Sequence, residues 1–384
     1  MGHSFHVPLR ILFISTSLNT GGAESMLYRL ISALDRDLFE PYVISLTSDG
    51  LFGEKIRSLG IPVRPLGMDT RLPNPLALLK LTLRLKQIRP ALVQTWMYHA
   101  DLLGGLAGFL THTPVVWGIH NTSLDPLAVK SNTIRIVHLN AFLSGWLPRR
   151  IVSCSETARR AHVNIGFTPN KFVVIPNGFD LNLFCPDPTA RKSLLQELGL
   201  SADTFLVGLV ARFDPLKDHQ SFIQAAAIFW RAHSQAHFVL CGDGISWSNE
   251  ALSGWIDAAG IRQNCHLLGR RDDIPHVMAG LDINTLSSIG EAFPNVLGEA
   301  MACGVPCVAT DVGDAAEIVG DTGIVVPPRD AHALAEGWER LINLSIQERH
   351  ELGQRARARI QTLYQIGEVV RRYQQLYRQL IQRG

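Results

Sequence analysis

Residues 287–319 read Ser-Ser-Ile-Gly-Glu-Ala-Phe-Pro-Asn-Val-Leu-Gly-Glu-Ala-Met-Ala-Cys-Gly-Val-Pro-Cys-Val-Ala-Thr-Asp-Val-Gly-Asp-Ala-Ala-Glu-Ile-Val. Two carboxylates, Glu291 and Glu299, lie eight positions apart. Pro294 between them marks a helix start, because proline at a first helical position loses no intrahelical N–H bond. A helix start offers unpaired N–H groups and a partial positive charge, which together suit phosphate. The loop supplies one acid and the first helical turns supply the other. The stretch therefore reads as a phosphate cradle flanked by carboxylates that accept hydrogen bonds from sugar hydroxyls. A strand, an acidic loop and a helix closed by Gly-Val-Pro also occur in α/β proteins for structural reasons alone, so the acid pair by itself leaves both readings open.

Working outward, apolar strand-like runs alternate with helical patterns. In the first half the strand candidates are residues 10–15, 41–46, 61–66, 91–95, 114–119, 150–153 and 172–176, with helices over 26–34, 52–59 and 75–88. In the second half strands are expected at 205–211, 237–241, 265–268, 282–286 and 306–310, with helices at 218–232, 249–259, 274–280 and 294–302. Strands separated by helices argue for parallel sheets covered on both faces, and two such series argue for two Rossmann-like halves. Pro176-Asn-Gly-Phe-Asp180, followed by Pro186 and Pro188, is turn chemistry and marks the linker. From Ser345 the chain reads as a polar, Arg- and Gln-rich helix ending in Leu376, Leu380 and Ile381.

Candidate chemistry sits where strands end. Arg212 and Lys217 follow the first strand of the second half, and two cations there could neutralise a leaving nucleoside diphosphate, Arg as a fork of donors and Lys as a point charge. Gly21-Gly22 follows the first strand and opens a helix, where the missing Cβ atoms let backbone N–H groups approach a pyrophosphate; a plain turn uses the same residues. His120 and His99 end two neighbouring strands, and packing or capping roles are open for both. Gly242-Asp-Gly244 and residues 269–273 end two further strands and are expected to line a nucleoside pocket.

Nearly the whole chain, most strongly residues 207–328, resembles the retaining GT-B glycosyltransferases of glycosyltransferase family 4, the glycosyl transferases group 1. Glu291-x7-Glu299, Arg212-x4-Lys217, Gly21-Gly22 and Thr322-Gly-Ile-Val-Val-Pro-Pro328 carry the likeness. The resemblance implies an α/β GT-B fold of two Rossmann-like domains facing across a cleft: residues 1–182 on the acceptor side, 183–364 on the donor side, and a C-terminal helix, 365–384, returning to the first domain. It implies transfer of a hexosyl unit from a nucleotide diphosphate sugar to the hydroxyl of a glycan or lipid-linked glycan, with retention of configuration. By the same resemblance Glu291 binds hydroxyls of the transferred sugar, while backbone at Phe293, Pro294, Asn295 and Val296 runs along sugar and phosphates. Glu299 takes the ribose hydroxyls, Arg212 and Lys217 take the diphosphate, Gly21 and Gly22 lie over it, and His120 contacts the sugar near the reaction centre.

The bulk properties limit the alternatives. At 384 residues two domains are expected, and 46% hydrophobic with 18% charged residues describes an ordered globular chain. A net charge of +2 is too mild to argue for nucleic acid. Basic residues cluster locally at Lys80, Arg84, Lys86, Arg89 and Arg149-Arg150, which fits either solvated helix faces or contact with anionic headgroups. The six cysteines lack metal-ligand spacing and read as small buried hydrophobes in a reducing compartment. No secretory signal is read at the start, and the apolar stretch 102–119 is broken by glycines, His112 and Pro114, so the expected location is cytoplasmic, with the inner face of the membrane as a contact. Asp35-Arg-Asp37 falls in a turn far from any strand end and reads as surface; with Arg212, Lys217 and a helix N-terminus available, neither a metal nor a cofactor beyond the nucleotide sugar is expected. The other readings are a sugar-nucleotide epimerase or hydrolase of the same fold and a non-catalytic sugar-nucleotide-binding protein. A nicotinamide-dependent dehydrogenase is disfavoured by the missing Gly-x-Gly-x-x-Gly fingerprint.

Overall fold

The computed structural model describes residues 7–19, 21–68, 75–122 and 131–382. The start of the chain, on which the signal-peptide expectation rests, lies outside them. The chain divides into two compact units, one comprising Met1–Gly178 with Ile366–Gly384 and the other Phe179–Gln365.

The first unit holds seven strands: β1 (Leu9–Ser15), β2 (Phe39–Ser45), β3 (Val63–Pro65), β4 (Leu92–Trp96), β5 (Val115–Ile119), β6 (Arg150–Ser153) and β7 (Phe172–Val174). They pair in the order 3-2-1-4-5-6-7, every pair parallel. Period-2 alternation sends Ile11 and Phe13 of β1 to one face and Leu12 and Ile14 to the other. Helices Gly22–Ser32 and Gly50–Ser58 cover the first face, and Pro75–Ile88, Tyr98–Thr111 and Ser131–Leu143 cover the second. This two-sided burial is why the strands read as continuous apolar runs.

The C-terminal helix Ile366–Gln382 completes the first face, burying Val369, Val370, Tyr373, Leu376 and Tyr377 there. Tyr377 Oη donates to Gln94 Oε1 at 3.1 Å, and Arg372 donates to the Val174 carbonyl at 2.6 Å. The polar pattern that begins at Ser345 is two helices, Ile346–Leu363 and Ile366–Gln382. Ile346–Leu363 ends at Tyr364, where Phe179 N–H donates to the Tyr364 carbonyl at 2.8 Å and Phe179 bridges to Gln365.

The second unit has six strands: β8 (Phe205–Val210), β9 (Ala236–Cys241), β10 (Cys265–Leu267), β11 (Ile283–Leu286), β12 (Cys307–Thr310) and β13 (Ile324–Val326). Their order is 10-9-8-11-12-13, again all parallel. Both units are Rossmann-like. The sequence reading omitted β13, which has only three residues, and the helices Tyr98–Thr111, Ser131–Leu143, Glu156–Asn164, Ala190–Leu198, Ala315–Val319 and Ala331–Ile342. Helix Tyr98–Thr111 takes up much of the apolar stretch that glycine seemed to break. Its Gly104, Gly105 and Gly108 face Thr95, Trp117 and Val115, and a Cβ on any of them would come within 2.9 Å of those side chains. Among the described residues no helix is long and apolar enough to cross a membrane.

Candidate functional site

In each sheet the chain reverses direction of winding beside its first strand, between β1 and β4 and between β8 and β11. The loops leaving the carboxyl ends of such strands form the crevice in which open α/β sheets bind ligands. In the second unit those loops are 211–218, which carries Arg212 and Lys217, and 287–294, which carries Glu291.

Lys217 closes a single 3₁₀ turn, Pro215–Lys217, whose start is capped by Asp214 accepting from Leu216 N–H at 3.0 Å. Lys217 Nζ donates to Glu291 Oε1 at 2.5 Å, and Ser288 Oγ donates to the same oxygen at 2.7 Å. This ion pair is largely withdrawn from water, the Lys217 side chain being 23% exposed and that of Glu291 13%. Arg212 is more open and pairs within its own loop, donating to Asp214 Oδ2 through Nε at 3.1 Å and Nη2 at 2.9 Å. Burial alone would raise the Asp214 carboxyl, but the bonds from Leu216 and Arg212 outweigh it and hold it below the usual range. The two loops are stitched directly: Ile289 N–H donates to the Leu216 carbonyl at 2.8 Å and Ser287 Oγ to the Lys217 carbonyl at 2.7 Å. Asp218 follows with φ 46°, a left-handed conformation that Asp tolerates, and its side chain accepts from Ser221 N–H to start helix His219–Ala232.

The helix after Glu291 runs Asn295–Ala302. Pro294 precedes it as the capping residue with ψ 95°, so the first helical position belongs to Asn295 and not, as the sequence suggested, to Pro294. Leu297 N–H donates to the Pro294 carbonyl at 3.2 Å, and the start of the helix faces the loop. Glu299 lies half-buried in its second turn.

This loop and helix are braced from behind. Thr310 Oγ1 donates to the Ser288 carbonyl at 2.6 Å, and Asp314 N–H to the Ala292 carbonyl at 3.1 Å. Gly313, at φ 59°, passes so close that a Cβ would stand 2.6 Å from the carbonyl oxygens of Glu291 and Ala292. On the other side Phe179 stacks on Phe293 (centroids 6.2 Å, 26°), Tyr364 meets Phe293 edge-on at 5.6 Å, and Phe179 presses against Gly298, where a Cβ would lie 2.1 Å from its ring. Arg357 holds the far end of the helix by donating to the Ala302 carbonyl and, at 3.1 Å, to that of Phe184. A cation there complements the helix dipole.

The first unit gathers its candidates at the carboxyl ends of β1, β4 and β5. Gly21 caps helix Gly22–Ser32 in extended conformation, and Ser17 Oγ donates to Glu24 Oε1 at 3.0 Å. Trp96 ties this helix start to His120: its Nε1 donates to the Ala23 carbonyl at 2.9 Å and its rings stack on the imidazole at 4.0 Å, 19°. Both ring nitrogens of His120 are buried without a hydrogen-bond partner among the described residues, and burial pushes the imidazole down to about 3. Met97 turns at φ 75° between β4 and the following helix, an uncommon conformation for a side chain of this size. His99 lies half-buried in the first turn of that helix, its Nε2 likewise without a partner among the described residues. Asp101 is fully buried, accepting from Thr95 Oγ1 at 2.5 Å and Gly118 N–H at 3.2 Å; burial raises it to about 8 despite those bonds.

These shifts set a pH profile. Burial holds His120 at about 3 and His162, His219 and His266 at about 4, against an ordinary value of 6.5. Below pH 6.5 the unfolded chain binds protons that the folded chain refuses, so stability falls as pH drops through the window from 6.5 to about 4. Asp101 has the opposite sign: its contribution is complete below about 4 and lost as pH rises toward 8. Thermal unfolding is expected to show a Tm that declines from pH 6.5 to 4.5, and Asp101→Asn is expected to gain on the parent chain as pH goes from 5 to 8. A Tm flat across the acid range would contradict the burial of these histidines.

Two family models match the chain one after the other: Glycosyltransferase Family 4 over residues 20–183 and Glycosyl transferases group 1 over residues 190–359. The chain belongs to the GT-B glycosyltransferases. The chain is 26% identical over 321 residues to the UDP-Gal:α-D-GlcNAc-diphosphoundecaprenol α-1,3-galactosyltransferase of Escherichia coli, covering 80% of this chain and 81% of that one. It is 29% identical over 321 residues to EpsF of Bacillus subtilis, which carries a glycosyltransferase name, covering 79% of each. The crystal structure of Anabaena HepE in complex with UDP superposes with a TM-score of 0.85 at 27% identity, covering 97% of this chain and all of that one, and a further HepE structure holds UDP-glucose.

Within this glycosyltransferase the structure brings Arg212, Lys217, Glu291, Phe293, Pro294, Asn295, Val296 and Glu299 together on two adjoining loops and one helix of the second unit. Gly21, Gly22 and His120 belong to the first unit, where Trp96 touches both His120 and Ala23, the residue after Gly22. Asp35 and Asp37 are exposed in the turn after helix Gly22–Ser32. The sequence reading missed Ser288, Thr310, Gly313, Phe179 and Trp96. Gly313 in the loop after β12 carried a usable signal, but nothing local marks Phe179, which lies 119 positions before Gly298.

Proposed function

We propose that the chain is a metal-independent hexosyltransferase that takes a UDP-hexose as donor, retains the anomeric configuration, and acts on a glycan or lipid-linked glycan at the cytoplasmic face of a membrane. The observation that carries this reading is the Lys217–Glu291–Ser288 cluster at the winding reversal of the second sheet, directly before the start of helix Asn295–Ala302. Lys217 pairs with Glu291, and Arg212 with Asp214. With donor, the two cations and the helix start turn to the diphosphate, and Glu291, still held by Ser288, takes hydroxyls of the sugar while Glu299 takes those of the ribose. For the first unit, His120 hydrogen-bonds the substrate through a ring nitrogen that has no partner among the described residues, and Gly21-Gly22 present backbone N–H groups to phosphate.

The reaction step is front-side. The bond from the anomeric carbon to the departing phosphate oxygen breaks with its electron pair passing to the diphosphate. The acceptor oxygen bonds to the same face, and its proton goes to the leaving phosphate. Arg212 and Lys217 stabilise charge where it develops. The UDP and UDP-glucose complexes of HepE and the UDP-galactose donor of the E. coli relative support uridine over other bases; the diphosphoundecaprenol acceptor of that relative supports a lipid-linked one.

A thermal-shift panel of UDP-, GDP- and ADP-sugars tests the donor. A UDP-sugar at about 100 times its Kd adds roughly 2.7 kcal/mol and is expected to raise Tm by several degrees, with the shift lost in Glu299→Ala. Turnover in EDTA and NMR assignment of the product anomer follow. A shift with NAD and none with any sugar nucleotide overturns the assignment, and an inverted product overturns the front-side route.

A further inference from the structure

The side of helix Pro75–Ile88 that faces away from the core should be polar, yet Leu76, Leu79 and Leu83 stand exposed there at i, i+3 and i+7, beside Lys80 and Lys86. The opposite side, through Ala77, Leu81 and Leu85, is already buried in the unit. The same pattern recurs on the helices that share its layer. Helix Tyr98–Thr111 exposes Phe109 and Leu110. Helix Ser131–Leu143 and the turn after it expose Arg135, Leu139, Phe142 and Trp146 in one stripe, with Phe142 70% and Trp146 73% accessible and in edge contact at 5.6 Å. All three helices insert their other sides into one core cluster, and Tyr98–Thr111 packs against both of the others. Exposed apolar side chains are ordinary singly, but a clustered set of this size marks a surface made to be covered.

Charge identifies the cover. Among the described residues from 75 to 150 the one acid is Asp101, and it is buried, whereas Lys80, Arg84, Lys86, Arg89, Arg135, Arg149 and Arg150 are all basic. Beside the first helix a cleft of about 280 Å³ is lined by Arg10, Arg64 and Arg84, of which Arg10 pairs with Glu40. A protein partner's apolar face has no need of basic residues at seven positions of the same segment. A bilayer with anionic headgroups needs both parts: leucine and aromatic side chains to enter the acyl boundary, and long basic side chains to reach phosphates at its rim.

We propose that the outer faces of these three helices form a docking surface for an anionic lipid bilayer, with Phe142 and Trp146 as the inserted wedge and Lys80 and Lys86 as headgroup contacts. The proposal deepens the lipid-linked acceptor reading by naming the face that meets the membrane, and its test does not depend on turnover.

The full chain is mixed with phosphatidylcholine vesicles with and without phosphatidylglycerol, and bound protein is separated by flotation. Binding is expected with phosphatidylglycerol only, and it should weaken as salt rises. Phe142→Ser/Trp146→Ser is expected to lower the partition roughly tenfold or more at every salt concentration, whereas Lys80→Glu/Lys86→Glu should abolish it at low salt. Quenching of tryptophan fluorescence by bromolipid should be reduced in Trp146→Phe. The donor-induced Tm shift is run on each variant and should be unchanged, so that failure of vesicle binding and failure of the donor reading are seen separately. Absence of flotation, binding indifferent to all of these substitutions, or a dimer in free solution that the Phe142/Trp146 variant converts to monomer overturns the proposal.

Discussion

Lys217→Ala lowers kcat/KM for sugar transfer by about 10²–10³-fold, in the range seen for loss of one preorganised charge-stabilising donor. Lys217 is held against Glu291 in a site largely closed to water, where a charge acts more strongly than at an open surface. In the proposed reaction the negative charge on the diphosphate grows as the sugar departs, so the loss should fall chiefly on kcat and only weakly on donor KM. Lys217→Arg is expected to recover part of the activity, because the guanidinium keeps the charge but spreads it over a planar fork that does not seat as one point on Glu291 Oε1. Folding is not the limiting concern, since Glu291 keeps its bond from Ser288 and the loops keep their backbone stitches. The measurement is steady-state kinetics beside a melting curve. Activity within threefold of the parent chain, at an intact Tm, would remove Lys217 from the reaction.

The second large effect is structural and reaches the same site. Gly298→Ala places a methyl where Phe179 Cζ lies 2.1 Å away, and overpacking of this kind costs about 1–3 kcal/mol. Each kcal/mol lowers Tm by roughly 2–4 °C in a unit of this size. Phe179→Ala alone opens a cavity beside Phe293 and Gly298 and costs about 3–5 kcal/mol. The double variant should be more stable than the sum of the two predicts, because the alanine methyl at 298 moves into the space the ring leaves. Donor KM should rise in both single variants, since Phe293 and the helix start sit on this contact. Strict additivity in the cycle would show that the ring and the glycine do not meet.

Much of this was legible from one dimension. Parallel strands buried on both faces are mostly apolar, which is why twelve of the thirteen could be read as runs; β13 has only three residues and was passed over. The placement of Arg212, Lys217 and Glu291 in loops after strands was legible because strand ends can be counted along the chain. The position of Pro294 was misjudged by one residue: its ring suits either side of a helix boundary, and the turn of ψ to 95° is set by the loop braced behind it. The helix Tyr98–Thr111 was obscured by glycines that a local scale counts as breakers. They are there because Thr95, Trp117 and Val115 occupy the space their side chains would need.

The sequence by itself determined the two-unit α/β plan and the list of charged residues at strand ends, since both follow from local periodicity and from residue type. Only the tertiary structure decided which charges meet. It joined Lys217 to Glu291 across 74 positions, backed their loops with Thr310 and Gly313, set Phe179 and Tyr364 against Phe293, and linked Ala23 to His120 through Trp96. The physical reason is that pairing energies depend on distance and burial. Both are fixed by how strands 8 and 11, or 1, 4 and 5, lie side by side, and that order is not written in the spacing of any one segment.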